Sequence, residues 1–268
     1  MNAREIRYFQ QQGVSASYCY QKKDMSHLWC LETKFYTRSL NHSNLIGVDL
    51  RGADLTRADL TGADLTGADL TNANLRDGDL SFVNLTNANL RGANLTDANL
   101  TDANLTNADL TNARLTRANL TGACFRFTKL TDADLTGASL RGAGLSYAHL
   151  RGAGLRGTDL TFAYLRGADL TNANFTGADL TGACLTDADL RGAGLTYANL
   201  TSTGLTNANF TGANLTGAGL SFANLTGANL TNANLTSADL SNANLRGADL
   251  TNANLTDASL TGAVGYER

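Results

Sequence analysis

From Leu45 to Leu260 every fifth residue is leucine, or phenylalanine at 125, 175 and 210, and the phase holds through 44 consecutive positions. Two residues before each lies a small one, alanine except at Ser43, Val48, Gly78, Val83, Thr128, Thr158 and Thr203. The remaining positions are polar, so a typical unit reads Ala63-Asp64-Leu65-Thr66-Gly67. A period of five is neither the 3.6 of a helix nor the 2 of a strand. With the leucine as position 0, the small residue at −2 shares its side of a short extended segment. The Asp or Asn at −1 then points the other way. Position +2 holds Gly 19 times, Asn 9 times and Asp 6 times in the 44 units. These residues tolerate positive φ, which a type II turn requires at its second central position. Each unit is therefore a minimal strand followed by a turn that always bends the same way.

Repeating that bend returns the chain over itself, and stacked coils bury one continuous Leu/Ala interior. Four units per coil is the natural closure, with one leucine on each side of a square. Forty-four units then give about eleven coils, a rod roughly 50 Å long at ~4.8 Å per coil. Disorder is excluded by the large apolar group in every unit, each contributing about 1.5–3 kcal/mol on burial.

Tandem A(D/N)LXX units such as Ala98-Asn99-Leu100-Thr101-Asp102 resemble the pentapeptide-repeat family, and the resemblance covers about four fifths of the chain. It implies an all-β fold, a right-handed quadrilateral parallel β-helix. A short N-terminal helical cap, as in several bacterial members, is expected over residues 2–12, where Ile6 and Phe9 share a face ahead of Gly13. The expected division is a cap over 1–42, with residues 14–42 irregular or forming degenerate coils, then the β-helix over 43–263 and a tail over 264–268. No amphipathic helix follows Gly262 to cover the last coil, so the expected state is a monomer or an end-to-end homodimer.

Composition adds compartment and limits chemistry. No apolar run approaches the ~18 residues of a membrane span, and the N-terminus lacks the apolar core of a signal peptide. Four cysteines form no dense disulfide framework. A cytoplasmic protein is expected. A regular rod offers no concave site in which catalytic groups converge, so neither an enzyme nor a cofactor is expected. Cys19, His27, Cys30 and His42 are separated by seven, two and eleven residues, which matches no common zinc finger. Net negative charge and the lack of a basic groove count against nucleic-acid binding.

Two surface features remain. Positions twenty apart stack on one face, which sets Phe127 above Tyr147 at +2, with Tyr164 at −1 one coil further and Arg126 and Arg166 close by. Aromatics with arginine favour protein binding. A corner ladder of purely structural meaning stays open beside that reading. On another face Arg51, Arg91, Arg151 and Arg191 interleave with Asp49, Asp69, Asp109, Asp169, Asp189 and Asp249, which reads as a self-satisfying charged stripe. The expected function is a non-enzymatic rod that binds a protein partner. The resemblance also implies an alternative, since some family members mimic DNA, bind DNA gyrase and confer resistance to quinolones or peptide toxins. On that reading Asp49, Asp59, Asp69 and Asp79 form the acidic face. DNA of this length carries about thirty charges, whereas the repeat carries 20 Asp against 14 basic residues.

Overall fold

The computed structural model describes residues 39–266. The expected cap helix over 2–12, and the stretch from 14 to 38, lie outside the described residues. Each −1 residue forms a parallel bridge with the residue twenty further on, from Ser39↔Asp59 to Asn244↔Val264 without a break. Five residues per unit and twenty per coil give four columns of bridges. The first contains Ser39, Asp59 and Asp79; the second Asn44, Asp64 and Asn84; the third Asp49 and Asp69; the fourth Asp54 and Asn74. The bridges stay single, and no longer strand forms among the described residues, because a turn follows each one. The architecture is a repeat β-helix. Its register already includes Ser39, whose hydroxyl donates to Asp59 at 2.9 Å.

One unit shows why these five residue types recur. The Ala63 N–H closes a turn on Leu60 O at 2.9 Å, and Asp64 N–H reaches back one coil to Ser43 O at 2.9 Å. Leu65 and Gly67 donate forward to Asn84 O at 2.7 Å and Thr86 O at 2.9 Å. The fifth donor, Thr66 N–H, is met by the Asp64 side chain at 3.0 Å. The Thr66 hydroxyl donates to the same carboxylate oxygen at 2.6 Å. Backbone donors that lack a partner are costly away from water, and here all five are satisfied. At the corner, every +2 residue from His42 to Gly262 has φ between 51° and 72°. Glycine, Asn and Asp dominate there because bulkier L-residues are strained by roughly 1–2 kcal/mol in that region.

The interior is the leucine spine. Leu55, Leu60, Leu65 and their successors through Leu240 are fully buried, with the alanines between them. Phe125, Phe175 and Phe210 are 0% exposed and lie in the second, fourth and third columns respectively, so their extra volume is staggered along the rod. Three polar residues enter the core with their hydroxyls satisfied. Thr128 donates to Leu105 O at 2.7 Å, Thr158 to Leu155 O at 2.8 Å and Thr203 to Leu180 O at 3.1 Å. At the C-terminal end Leu250, Leu255, Leu260 and Tyr266 are only partly buried and pack against the core.

Replacing Leu120, fully buried in the first column, with alanine is expected to cost about 2–5 kcal/mol through a cavity. Thr128→Val removes one buried hydrogen bond and is expected to cost about 0.5–1.5 kcal/mol. Denaturant titration followed by circular dichroism ranks the two. Equal losses would mean that the coils collapse around a missing leucine.

Acid sensitivity follows from the −1 carboxylates. The Arg51 side chain holds Asp49 below the ordinary carboxylate pKa, and Arg191 does the same for Asp189. Hydroxyl donors lower Asp239 (Ser221, then Ser241) and Asp249 (Thr251). A folded pKa below the unfolded value means that the stabilisation is complete above about pH 4 and is lost as pH falls through the lower folded value. Melting temperature is expected to stay level from pH 7 to about pH 5 and to drop below about pH 4. A drop already present at pH 6 would implicate other groups.

Candidate partner-binding face

The −1 cap is uniform in the first coils and fails in the middle of the rod. Every +1 N–H from Ile46 to Thr111, fourteen in all, is met by the Asp or Asn two residues before it. Of the next eleven, from Thr116 to Arg166, only those of Thr121, Thr136 and Thr161 are met by a side chain among the described residues. The second column carries the longest gap. Its −1 residues run Cys124, Gly144, Tyr164, Cys184 and Gly204 in succession. The N–H groups of Arg126, Ser146, Arg166, Thr186 and Thr206 above them meet no side-chain acceptor among the described residues, whereas Thr106 and Thr226 at either end are capped at 3.1 and 3.2 Å.

Aromatic side chains gather on this face. Phe127 and Tyr147 lie on the corner between the second and third columns, and their rings stack at 5.5 Å with planes 15° apart. The Arg126 guanidinium lies 4.9 Å from the Phe127 ring centre. Tyr147 in turn lies over Gly167, where an added Cβ would come within 2.6 Å of its ring. Tyr164 rises from the middle of the face. Phe162 stands on the opposite corner, between the first and second columns. Phe127, Tyr147, Phe162 and Tyr164 are 42%, 40%, 56% and 59% exposed. The residues proposed from sequence, Phe127, Tyr147, Tyr164, Arg126 and Arg166, thus come together on three adjacent coils. Phe162 was missed because it counts as the +2 residue of the preceding unit, yet a +2 residue stands at the corner shared with the next face.

Charge is segregated along the rod as well. Residues 45–110 carry four basic and ten acidic side chains, a net of −6. Residues 111–167 carry eight basic and three acidic, a net of +5, and residues 168–264 two basic and seven acidic, a net of −5. Within the basic waist, Arg117 pairs with Asp97 at 2.7 Å, Lys129 with Asp109 at 3.8 Å and Arg166 with Asp187 at 3.5 Å. Arg114, Arg126, Arg141, Arg151 and Arg156 form no ion pair among the described residues. In the charged stripe of the third column, Arg51, Arg91 and Arg191 pair with Asp49 (2.6 Å), Asp109 (3.6 Å) and Asp189 (2.6 Å), while Arg151 does not.

The acidic face expected at the N-terminal end does not form as one surface. Asp49 and Asp69 bridge in the third column, and Asp59 and Asp79 in the first. Ten residues are half a coil, so the two pairs face opposite ways. Asp49 is also held by Arg51. Among the described residues no group of three or more His, Cys, Asp or Glu is placed to hold a metal, and no helix is long and apolar enough to cross a membrane. Cys19, His27 and Cys30 lie outside the described residues. Cys124 and Cys184 are free thiols three coils apart in the second column, roughly 14 Å, too far for a disulfide.

The family model described as pentapeptide repeats (8 copies) matches residues 39–77, 79–117, 118–157, 153–192, 193–232 and 228–264. The chain belongs to the pentapeptide-repeat family. Among solved pentapeptide-repeat structures it is similar to HetL, described as involved in heterocyst differentiation regulation, from the cyanobacterium Nostoc sp. strain PCC 7120. Identity is 34% over 98% of this chain and 97% of that one, with a TM-score of 0.34. It is also similar to QnrB1, a plasmid-mediated fluoroquinolone resistance protein, at 20% identity over 83% and 91% of the two chains, with a TM-score of 0.40. Rfr23, from the cyanobacterium Cyanothece 51142, is 27% identical over 43% of this chain and 90% of its own, with a TM-score of 0.27. No curated protein matches the chain.

Two glycines separate turn strain from ring packing in this pentapeptide-repeat rod. Gly177 has φ +65° and open space where a Cβ would go, whereas Gly167, at +64°, sits beneath Tyr147. Gly177→Ala is expected to cost about 1–2 kcal/mol from φ alone. Gly167→Ala is expected to carry that cost and also to move Tyr147, which near-ultraviolet circular dichroism would register. Identical spectra for the two variants would show that the stacked corner is loose.

Proposed function

We propose that this chain is a non-enzymatic interaction rod that binds a protein partner through its second face at mid-length. The observation that carries the reading is the grouping of Phe127, Tyr147, Phe162 and Tyr164, all at least 40% exposed, on three adjacent coils of one face. Apolar rings exposed together mark association surfaces, and aromatic side chains beside arginine dominate binding energy where they occur. Leucines and alanines already fill the interior, so these rings are not needed to complete the core. The reading rests on the chain's own surface rather than on the differing roles of HetL and QnrB1.

DNA mimicry toward gyrase asks for a negative field along the rod. The net +5 of residues 111–167 interrupts it, and the foremost acidic residues divide between opposite faces. Both observations favour the interaction rod.

Affinity capture from the native host with the wild-type rod and with a Phe127→Ala/Tyr147→Ala variant tests the proposal. The variant is expected to fold, since both rings are outside the core, and to lose at least one captured protein. An unchanged set of partners would remove the face as a site. In a gyrase supercoiling assay, micromolar protein is expected to leave the rate unchanged; inhibition there would restore the mimicry reading.

A further inference from the structure

We propose that the partner presents an acidic helix along the second face, and that its carboxylates take the place of the missing −1 caps; this rests on the interaction-rod reading above. In most units a side-chain oxygen two residues upstream meets the +1 N–H, as Asp64 meets Thr66 at 3.0 Å, and on the other three faces the gaps are shorter. From Cys124 to Gly204 the second column supplies no such oxygen for five coils, and its N–H groups hold the positions that at Thr106 and Thr226 meet the −1 side chain of the same face. Arg126 and Arg166 occupy two of those five +1 positions; Arg126 forms no ion pair among the described residues and Arg166 meets Asp187 at 3.5 Å. Both lie in the waist of net charge +5, with Thr186 and Thr206 beyond it. Backbone N–H groups beside guanidinium form a carboxylate-binding surface through charge-assisted hydrogen bonds.

Spacing selects the helix. The free N–H groups recur once per coil, about 4.8 Å apart. Carboxylates on one side of a helix recur about every 5.4 Å turn, so a helix drifts by roughly 0.6 Å per coil. Same-side residues of an extended strand recur about every 6.6 Å, a drift of roughly 2 Å. Five donors therefore suit about four helical turns. Apolar residues on the helix flank would meet the edges of Phe127 and Tyr147 on one side and Phe162 on the other. Single-stranded nucleic acid is less well matched, because bases need free ring faces. Phe127 and Tyr147 cover one another, with Arg126 against the first ring and Gly167 under the second.

Proline separates the N–H groups from everything else. Ser146 is the first central residue of its turn, where proline is favoured, and the hydrogen bonds of its unit do not use its N–H. Ser146→Pro/Thr186→Pro therefore deletes two outward donors and leaves the ladder in place, which the thermal melt verifies. Fluorescence anisotropy would use a labelled 18-residue helical peptide with Glu at i, i+4, i+7 and i+11 and Leu beside them. Comparators are the same peptide with Gln for Glu, a proline-broken version of equal charge, and an oligo-dT of equal charge.

The acidic helix is expected to bind at least tenfold more tightly than each comparator, and to weaken at least fivefold from 50 to 300 mM salt. The double-proline variant and Arg126→Ala/Arg166→Ala are each expected to weaken it at least threefold. Equal binding of the Gln peptide or of oligo-dT overturns the proposal. So does unchanged binding by a folded double-proline variant. If the Phe127→Ala/Tyr147→Ala variant loses its captured partner while the proline and arginine variants keep it, the interaction-rod reading stands and the acidic helix does not.

Discussion

A turn every fifth residue leaves one backbone N–H per unit that no neighbouring coil can reach, and the rest of the structure is arranged around that donor. The other four bond along the stack or close the turn, as in the unit from Ala63 to Gly67. Only a side chain at −1 is placed to meet the fifth, and it must offer an oxygen on a short stem. Asp and Asn do so, and Thr at +1 adds its hydroxyl to the same oxygen, as Thr66 does to Asp64. Leucine and alanine are dictated from the inside and Asp or Asn from the outside. The repeat grammar follows from both demands at once.

Aspartate and asparagine cap equally but stack differently. Asn84 donates its amide to Asp64 Oδ1 at 3.2 Å and to Thr66 Oγ1 at 2.8 Å one coil back, tying adjacent coils through the column. Two stacked aspartates have no proton to share; Asp59 and Asp79 stack with hydrogen-bond donors alone, while other pairs take a cation. Arg51 supplies it between Asp49 and Asp69, at 2.6 and 3.7 Å. These exposed pairs contribute little each, but they explain where arginine is tolerated in the first coils. Even so, the ten aspartates of residues 45–110 outnumber their four arginines, and the region keeps its net charge of −6.

The core was legible because its rule is one-dimensional: a phase of five, a small residue at −2, and a +2 residue that accepts positive φ. Faces are legible only modulo twenty. Phe127 and Tyr147 obey that arithmetic and stack. Asp49, Asp59, Asp69 and Asp79 are dense along the chain yet divide between opposite sides, because proximity in sequence at half a coil is distance in space. Phe162 escaped notice because a +2 residue belongs in space to the corner it turns rather than to its own face. The mid-rod gap in the caps escaped for a different reason. A −1 Asp or Asn known only to point away from the leucine gives no sign of what its absence at Cys124, Gly144 and Tyr164 sets free.

Loss of a cap at a solvent-facing N–H is cheap for the fold, since water can take the acceptor's place. The core beneath the uncapped coils is as closed as elsewhere, with Leu145 and Leu165 at 0% exposure. The waist is thus a stretch in which surface chemistry varies without touching the scaffold. Three changes coincide there: most caps disappear, four of the seven exposed rings gather within three coils, and net charge turns from −6 to +5. A rod only required to be stable and soluble would gain nothing by placing them together. The waist is also long enough to act by itself. Its three coils span roughly 14 Å, more than the ~8 Å over which physiological salt screens charge. A ligand over Arg126 and Ser146 therefore meets the positive waist, while one that reaches past Arg166 also meets Asp187, 3.5 Å from that arginine.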